Sequence, residues 1–153
     1  MSEHQVVYQA VVARRLQWDS LLWQVPTLSL TAQAFLFTIA LGPDSSRMAR
    51  TLAAVLSIVI SCLSVTLMAR HRQAELSDAA WLERFEGGLP EEMRVHGKNF
   101  INRRAVVHPR DRMFVPLVPG YKTWTIGLLL FALVAMFAIL LTWLDPSPLS
   151  GTQ

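Results

Sequence analysis

Residues 123–144 form an uncharged apolar stretch, TWTIGLLLFALVAMFAILLTWL, with a tryptophan near each end. At a rise of 1.5 Å per residue, a helix from Trp124 to Trp143 is about 28 Å long, close to the roughly 30 Å hydrocarbon core of a bilayer. Both indole rings would then lie at membrane interfaces, where amphipathic rings are favoured. The composition agrees, because 52% of the residues are hydrophobic and only 16% are charged. The stretch therefore predicts a transmembrane helix.

Two further apolar stretches come earlier in the chain and predict a transmembrane hairpin over residues 26–69. The first runs from Pro26, which suits the first turn of a helix, to Gly42. The second covers residues 51–69 and is bracketed by arginines. The linker between the two stretches is short, so we expect the helices to be antiparallel neighbours.

The distribution of positive charge predicts the orientation of these helices. Most of the 14 Lys and Arg residues lie between residues 70 and 122, and none follows Leu144. Cytoplasmic segments of membrane proteins carry the excess of positive charge. We therefore expect the amino terminus and residues 70–122 in the cytoplasm, with the 43–49 turn and the carboxyl terminus outside. The expected location is the plasma (inner) membrane.

These expectations define an all-α integral membrane protein with three transmembrane helices, a tight hairpin plus a C-terminal span, and cytoplasmic helical extensions. The helix after residue 69 should continue into the cytoplasm, since no helix breaker occurs before Gly87. The chain after Gly97 has no helical period and predicts a loop with one short strand at residues 105–107. The predicted segments are a cytoplasmic amphipathic helix at 1–25, the hairpin at 26–69, a cytoplasmic helix and basic loop at 70–122, the third span at 123–144 and an external tail at 145–153.

Small and polar residues recur at helical spacing in the first two spans. Helices gain little from hydrophobic pairing within lipid, so close backbone approach and interhelical hydrogen bonds hold them together. One amide lies within a span, and we favour an interhelical hydrogen bond over a transport site for it. These small and polar residues predict a helix-packing surface, either between the two helices of the hairpin or between neighbouring copies of the chain. The predicted helix-packing residues are Gln33, Thr38, Ala53, Ser57 and Ser61.

A basic cluster in the predicted cytoplasmic loop is the candidate binding site. Its arginines could clamp the phosphate of an anionic small molecule, a nucleotide or a lipid head group. Alternatively, the cluster is a juxtamembrane flank that sets topology and touches anionic lipid, or it contacts a protein partner. A net charge of +3 gives no direct evidence for a nucleic-acid partner. The members of the cluster are Lys98, Arg103, Arg104, His108, Arg110 and Arg112.

The sequence contains no recognisable catalytic or metal-binding motif. The four histidines form no HExxH pair, and there is no CxxC, GxSxG, Walker loop or GxGxxG pattern. We therefore expect a non-enzymatic protein with no cofactor and no metal. Residues 70–122 carry aromatic and aliphatic side chains but are too few to bury them in a core of their own. Their partners would be the amino-terminal helix or identical neighbouring subunits, and the second possibility predicts self-association into a homo-oligomer.

The order of the predicted parts resembles that of small bacterial membrane effectors. An amphipathic helix, a tight two-span hairpin and a helix that continues into the cytoplasm follow one another over residues 5–88, WDSLLWQVP…LMARHRQAELSDAAWLERFE. This outline is similar to the SLATT-type effector domains of bacterial conflict systems. With the third span it is also similar to the membrane effectors of pyrimidine-cyclase (Pycsar) anti-phage systems. The resemblance implies an oligomer that a nucleotide signal triggers to damage the host membrane.

The predicted function is that of a small, non-enzymatic plasma-membrane protein whose cytoplasmic segment binds a ligand or a partner. The resemblance extends this prediction to a membrane-perturbing effector in antiviral defence. The expected partners are the lipid bilayer, further copies of the chain, and an anionic small molecule or nucleotide. The alternative is an accessory or structural subunit of a larger membrane complex. A transporter or channel is disfavoured, because the predicted spans contain no charged residue.

Overall fold

Three long helices make up most of the computed structural model, which describes residues 3–94, 96 and 119–144. Helix α1 is Glu3–Ala40, helix α2 is Arg47–Glu86 and helix α3 is Gly120–Leu144. A single turn of 3₁₀ helix spans Glu91–Met93. The described residues contain no strand, so the expectation of an all-helical chain is confirmed for this part of the molecule. The strand predicted at 105–107 lies outside the described residues.

Helix α1 passes through Pro26 without interruption, so the prediction that Pro26 begins a helix was wrong. A proline inside a helix cannot donate a hydrogen bond to the carbonyl four residues earlier. Such prolines are tolerated in membrane helices when neighbouring groups satisfy the freed backbone. Pro26 is almost fully buried. Packing around this turn, rather than local propensity, keeps α1 continuous.

Helix α2 extends for 40 residues and ends at Glu86. This is the continuation expected from the lack of a breaker before Gly87. The Leu89 N–H donates to the Glu86 carbonyl at 2.9 Å. The Arg94 side chain donates to the carbonyls of Gly87, at 3.0 Å, and Leu89, at 2.7 Å. These bonds satisfy carbonyl groups at and just after the end of the helix, which have no partner inside it.

The turn between α1 and α2 is closed by Arg50. Its Nη2 donates to the carbonyl oxygens of Gly42, at 2.9 Å, and Pro43, at 2.8 Å. A cation is favourable there because the end of a helix carries partial negative charge. A Cβ on Gly42 would lie 2.8 Å from the Thr38 carbonyl oxygen and 2.9 Å from Ser45 Oγ. The tight turn therefore depends on a residue without a side chain at position 42.

The chain divides into two compact units. The first comprises Met1–Trp23 and Ala69–Lys122, and the second comprises Gln24–Met68 and Thr123–Gln153. Helices α1 and α2 each contribute a segment to both units. The charged residues of α1 all fall in its first-unit segment. The second unit therefore receives only the uncharged part of this helix.

The core of the second unit is built mostly from small residues. Alanines allow helix backbones to approach closely, and close approach is a main source of attraction between helices in lipid. Phe37 and Phe131 flank this core with their ring centroids 5.7 Å apart. The buried core residues are Leu36, Ala40, Ala53, Ala54 and Ala135.

Helices α2 and α3 are the two described helices that are long and apolar enough, by length and composition, to cross a membrane. Helix α1 does not meet the same criterion, because hydroxyl and amide side chains interrupt its apolar half. Large apolar side chains of α2 and α3 are exposed, and this suits a surface in contact with lipid. Examples are Leu56, Leu63, Leu133, Phe137 and Leu140.

Candidate functional site

A buried amide lies at the centre of the α1–α2 contact in the second unit. The Gln33 side chain has no solvent exposure. Its Nε2 donates to the Ser57 carbonyl at 2.9 Å and to Ser61 Oγ at 2.8 Å. The Ser57 hydroxyl donates to Gln33 Oε1 in return. Both ends of the amide therefore have partners on α2, and the three side chains form one closed network.

A second polar contact joins the same two helices one turn away. Ser29 Oγ and Ser64 Oγ are 2.6 Å apart, and both residues are buried. A hydroxyl has one proton to donate, so when Ser29 donates to the Val25 carbonyl, Ser64 must be the donor to Ser29. We call the five side chains Ser29, Gln33, Ser57, Ser61 and Ser64 the polar seam.

The remaining predicted helix-packing residues lie in two different environments. Ala53 is buried in the core of the second unit. Thr38 is exposed, and its hydroxyl donates to the Ala34 carbonyl of its own helix at 2.9 Å. The structure therefore brings Gln33, Ser57 and Ser61 together but does not bring Thr38 to them.

The first unit is joined by buried ion pairs between α1 and α2. Glu75 accepts from Arg15 on α1, whose Nε and Nη2 lie 3.3 and 3.1 Å from Oε1. It also forms an ion pair with Arg72 on its own helix. Arg15 and Glu75 are both less than one-tenth exposed. A buried carboxylate needs compensating charge, and two guanidinium groups supply it here.

A bidentate ion pair lies next to this group. Arg14 Nε and Nη2 donate to the two carboxylate oxygens of Asp78, at 2.9 and 2.6 Å. The hydrogen bonds and the charge of Asp78 raise the pKa of Arg14. Asp78 is buried, whereas more than half of the Arg14 side chain is exposed. The pair therefore anchors a solvent-accessible cation to a buried acid.

Glu86 connects the last turn of α2 with α1 and with the chain that follows the helix. The Tyr8 hydroxyl donates to Glu86 Oε1 at 2.9 Å, and the His96 backbone N–H donates to the same atom at 3.0 Å. Burial, followed by the hydrogen bond to Glu86 and its negative charge, raises the pKa of Tyr8 to about 12. The Tyr8 ring stacks on Phe85 with centroids 5.1 Å apart. Glu86 thus ties two separate parts of the first unit to the end of α2.

Sequence reasoning missed the contacts of Arg14, Arg15 and Tyr8 with α2. The available signal was the presence of Glu75, Asp78 and Glu86 among apolar residues at helical spacing. Acids on a buried face require cations or donors from the neighbouring helix.

The predicted basic cluster lies outside the described residues, and the structure gives no geometry for it. Its members are Lys98, Arg103, Arg104, His108, Arg110 and Arg112. Within the described ranges, no group of three His, Cys, Asp or Glu side chains could hold a metal ion. Cys62 is exposed on α2.

Comparison of the chain with protein-family models, curated proteins and solved structures gives no significant match. The candidate site is therefore characterised by its own geometry. Its polar groups bond to one another across α1 and α2, so their chemical role is to join the two helices within each unit.

Replacing Gln33 with Ala should destabilise the second unit by about 1–2 kcal/mol, because it leaves the Ser57 and Ser61 hydroxyls without their partner. Replacing Thr38 with Ala should cost less than about 0.5 kcal/mol, because its hydroxyl bonds only within its own helix. Unfolding of both variants in mixed micelles, followed by circular dichroism, measures the difference. Equal effects of the two changes would contradict the assigned role of Gln33.

Stability should fall as the pH rises from about 10 to about 12, and the Tyr8→Phe variant should lose this component. An unfolded tyrosine releases its proton near pH 10, whereas folded Tyr8 holds it to about 12. The free energy of unfolding therefore decreases as the pH rises through this window. Below about pH 10, Tyr8 is protonated in both states and its contribution does not change with pH. Phenolate absorbance of the folded protein, with Tyr8→Phe subtracted, gives the Tyr8 pKa directly. Replacing Glu86 with Gln should lower that pKa, and an unchanged value would show that Glu86 does not act on Tyr8.

Proposed function

We propose that the chain is a non-enzymatic, multi-pass protein of a bacterial plasma membrane. In this proposal it self-associates in the bilayer and uses its cytoplasmic segment to bind an anionic ligand or a partner. The main support is the second unit, where small and polar side chains are buried and large aliphatic side chains of α2 and α3 are exposed. This distribution is expected for helices that face lipid and pack through small residues.

The proposal includes α1 as a third transmembrane helix. Helix α1 is less hydrophobic than α2 and α3 partly because it contains Ser29 and Gln33. The polar atoms of these two side chains form hydrogen bonds with α2 or with the α1 backbone. The hydroxyls of Thr31 and Thr38 donate to backbone carbonyls of α1. Polar groups that are satisfied within a helix pair carry a much smaller cost in hydrocarbon. Residues 24–40 can therefore cross the bilayer as the partner of α2.

Self-association is supported by the outer face of α1 in the second unit. Small and hydroxyl side chains at helical spacing are exposed there, and such residues allow another helix to approach closely. The exposed residues are Thr27, Thr31, Ala34 and Thr38.

The membrane location and orientation have a direct test. The protein should remain in membranes during alkaline carbonate extraction. A periplasm-active reporter should be active when fused after Gln153 and silent when fused after Gly88, because the positive charge of residues 70–122 retains this segment in the cytoplasm. A reporter placed in the turn after Asp44 should be active if α1 crosses the membrane. Release by carbonate would refute the proposal, and a silent reporter in the turn would remove α1 as a span.

The role of the cytoplasmic segment is tested by over-expression in bacteria. If the protein acts on the membrane as SLATT-type effectors do, induction should depolarise the cells. Replacing Arg103 and Arg104 with Ala should abolish most of the effect by removing the anion-binding charge. The exposed Arg47 supplies the control, and its replacement with Ala should leave depolarisation intact. No depolarisation, together with stable co-purification of an unrelated membrane protein, would instead establish the accessory-subunit alternative.

A further inference from the structure

All three long helices meet within the first unit at one level, beside the start of α3. The Trp23 ring lies so close to Gly120 that a Cβ on the glycine would clash with the ring. The Arg72 guanidinium lies over the Tyr121 ring, with its Cζ 5.2 Å from the ring centroid. These contacts place Trp23 of α1, Arg72 of α2 and Tyr121 of α3 at the same height along the helices.

The last charged residue before each helix becomes apolar lies within about one helical turn of this level. Helix α1 has no charged residue after Asp19, α2 has none between Arg50 and Arg70, and α3 has none after Lys122. A change from charged to apolar residues at one level of several helices is typical of a membrane interface. In the proposed orientation this is the cytoplasmic interface, so the inference rests on the proposed membrane location.

Two cations at this level have no partner within the described part of the chain. Arg70 and Lys122 are exposed, and neither side chain has an ion pair or hydrogen bond there. Arg72 differs, because it binds Glu75 and covers Tyr121. Trp23 is 45% exposed, and its amphipathic ring lies against Gly120. Long cationic side chains next to apolar surface extend towards the head groups of the membrane.

We propose that Arg70 and Lys122, at the level of the exposed Trp23, bind the phosphate groups of anionic phospholipids in the cytoplasmic leaflet. Arg and Lys donate several charged hydrogen bonds to phosphate oxygens. An anionic leaflet attracts each juxtamembrane cation enough to favour binding about fivefold. The indole ring prefers the same depth in the bilayer. This site is distinct from the basic cluster between residues 98 and 112.

The proposal is tested with the full-length protein in uncharged detergent. Native mass spectrometry gives the apparent affinity for phosphatidylglycerol and for phosphatidylcholine. The wild type should prefer phosphatidylglycerol. Arg70→Gln or Lys122→Gln should each reduce the preference by up to about fivefold, and the double variant by up to about 25-fold. The matched control is Arg47→Gln, an exposed cation at the opposite end of the apolar part of α2, which should leave the preference unchanged. The basic cluster is intact in every variant, so it contributes equally to all of them.

Several results would overturn the proposal. The double variant could keep the wild-type preference for phosphatidylglycerol. Alternatively, Arg47→Gln could reduce this preference as much as the double variant does, and this would indicate a general effect of positive charge. Displacement of phosphatidylglycerol by inorganic phosphate would show a site for free phosphate rather than for lipid. Unfolding of the double variant in lipid-free detergent would show that the two side chains stabilise the fold instead. A protein that resists carbonate extraction but lacks the lipid preference would contradict this proposal and leave the proposed membrane location standing.

Discussion

A buried amide in an apolar helix pair must find its hydrogen-bond partners inside the protein, because its apolar surroundings offer none. Gln33 meets this requirement with the Ser57 carbonyl and the hydroxyls of Ser57 and Ser61. A shift of one residue turns a helix surface by about 100° and would remove these partners. The polar seam therefore sets the rotation of α1 against α2 within the second unit. It also leaves the large aliphatic side chains of α2 to face outward.

In the first unit, buried carboxylates rather than a buried amide require partners inside the protein. Glu75 and Asp78 are buried, and each would cost several kcal/mol without a cation. Arg15 and Arg72 compensate Glu75, and Arg14 compensates Asp78. Buried ion pairs add little net stability, but the loss of one partner is costly. Their effect is thus to exclude other registers of the two helices in this unit.

Several arginines bind groups within the protein, and this limits which cations are available to bind other molecules. Arg72 and Arg15 neutralise a buried acid and are committed to the fold. Arg50 closes the turn between α1 and α2 through two backbone carbonyls. The side chains of Arg70 and Lys122 form no ion pair or hydrogen bond among the described residues, so they are available to bind anionic lipid.

Local sequence patterns were enough to predict several features of the fold. The small-residue spacing pointed to Ser57 and Ser61, and the single amide within a span pointed to Gln33. The structure places these three in one hydrogen-bonded network. Thr38 carries the same periodic signal but is exposed, because periodicity shows that residues share a face and not what covers that face. Pro26 was misjudged, because packing around its turn outweighs the preference of proline for a helix start.

The amino-acid sequence alone determined that the chain is helical, where its helices are apolar and where positive charge accumulates. These properties depend on composition and on neighbours within a few turns. Only the tertiary structure decided that Arg15 pairs with Glu75 and Tyr8 with Glu86, residues that are 60 and 78 positions apart. Such pairs depend on the register and rotation of one helix against another. That geometry results from all the contacts of the two helices together, and no local pattern encodes it.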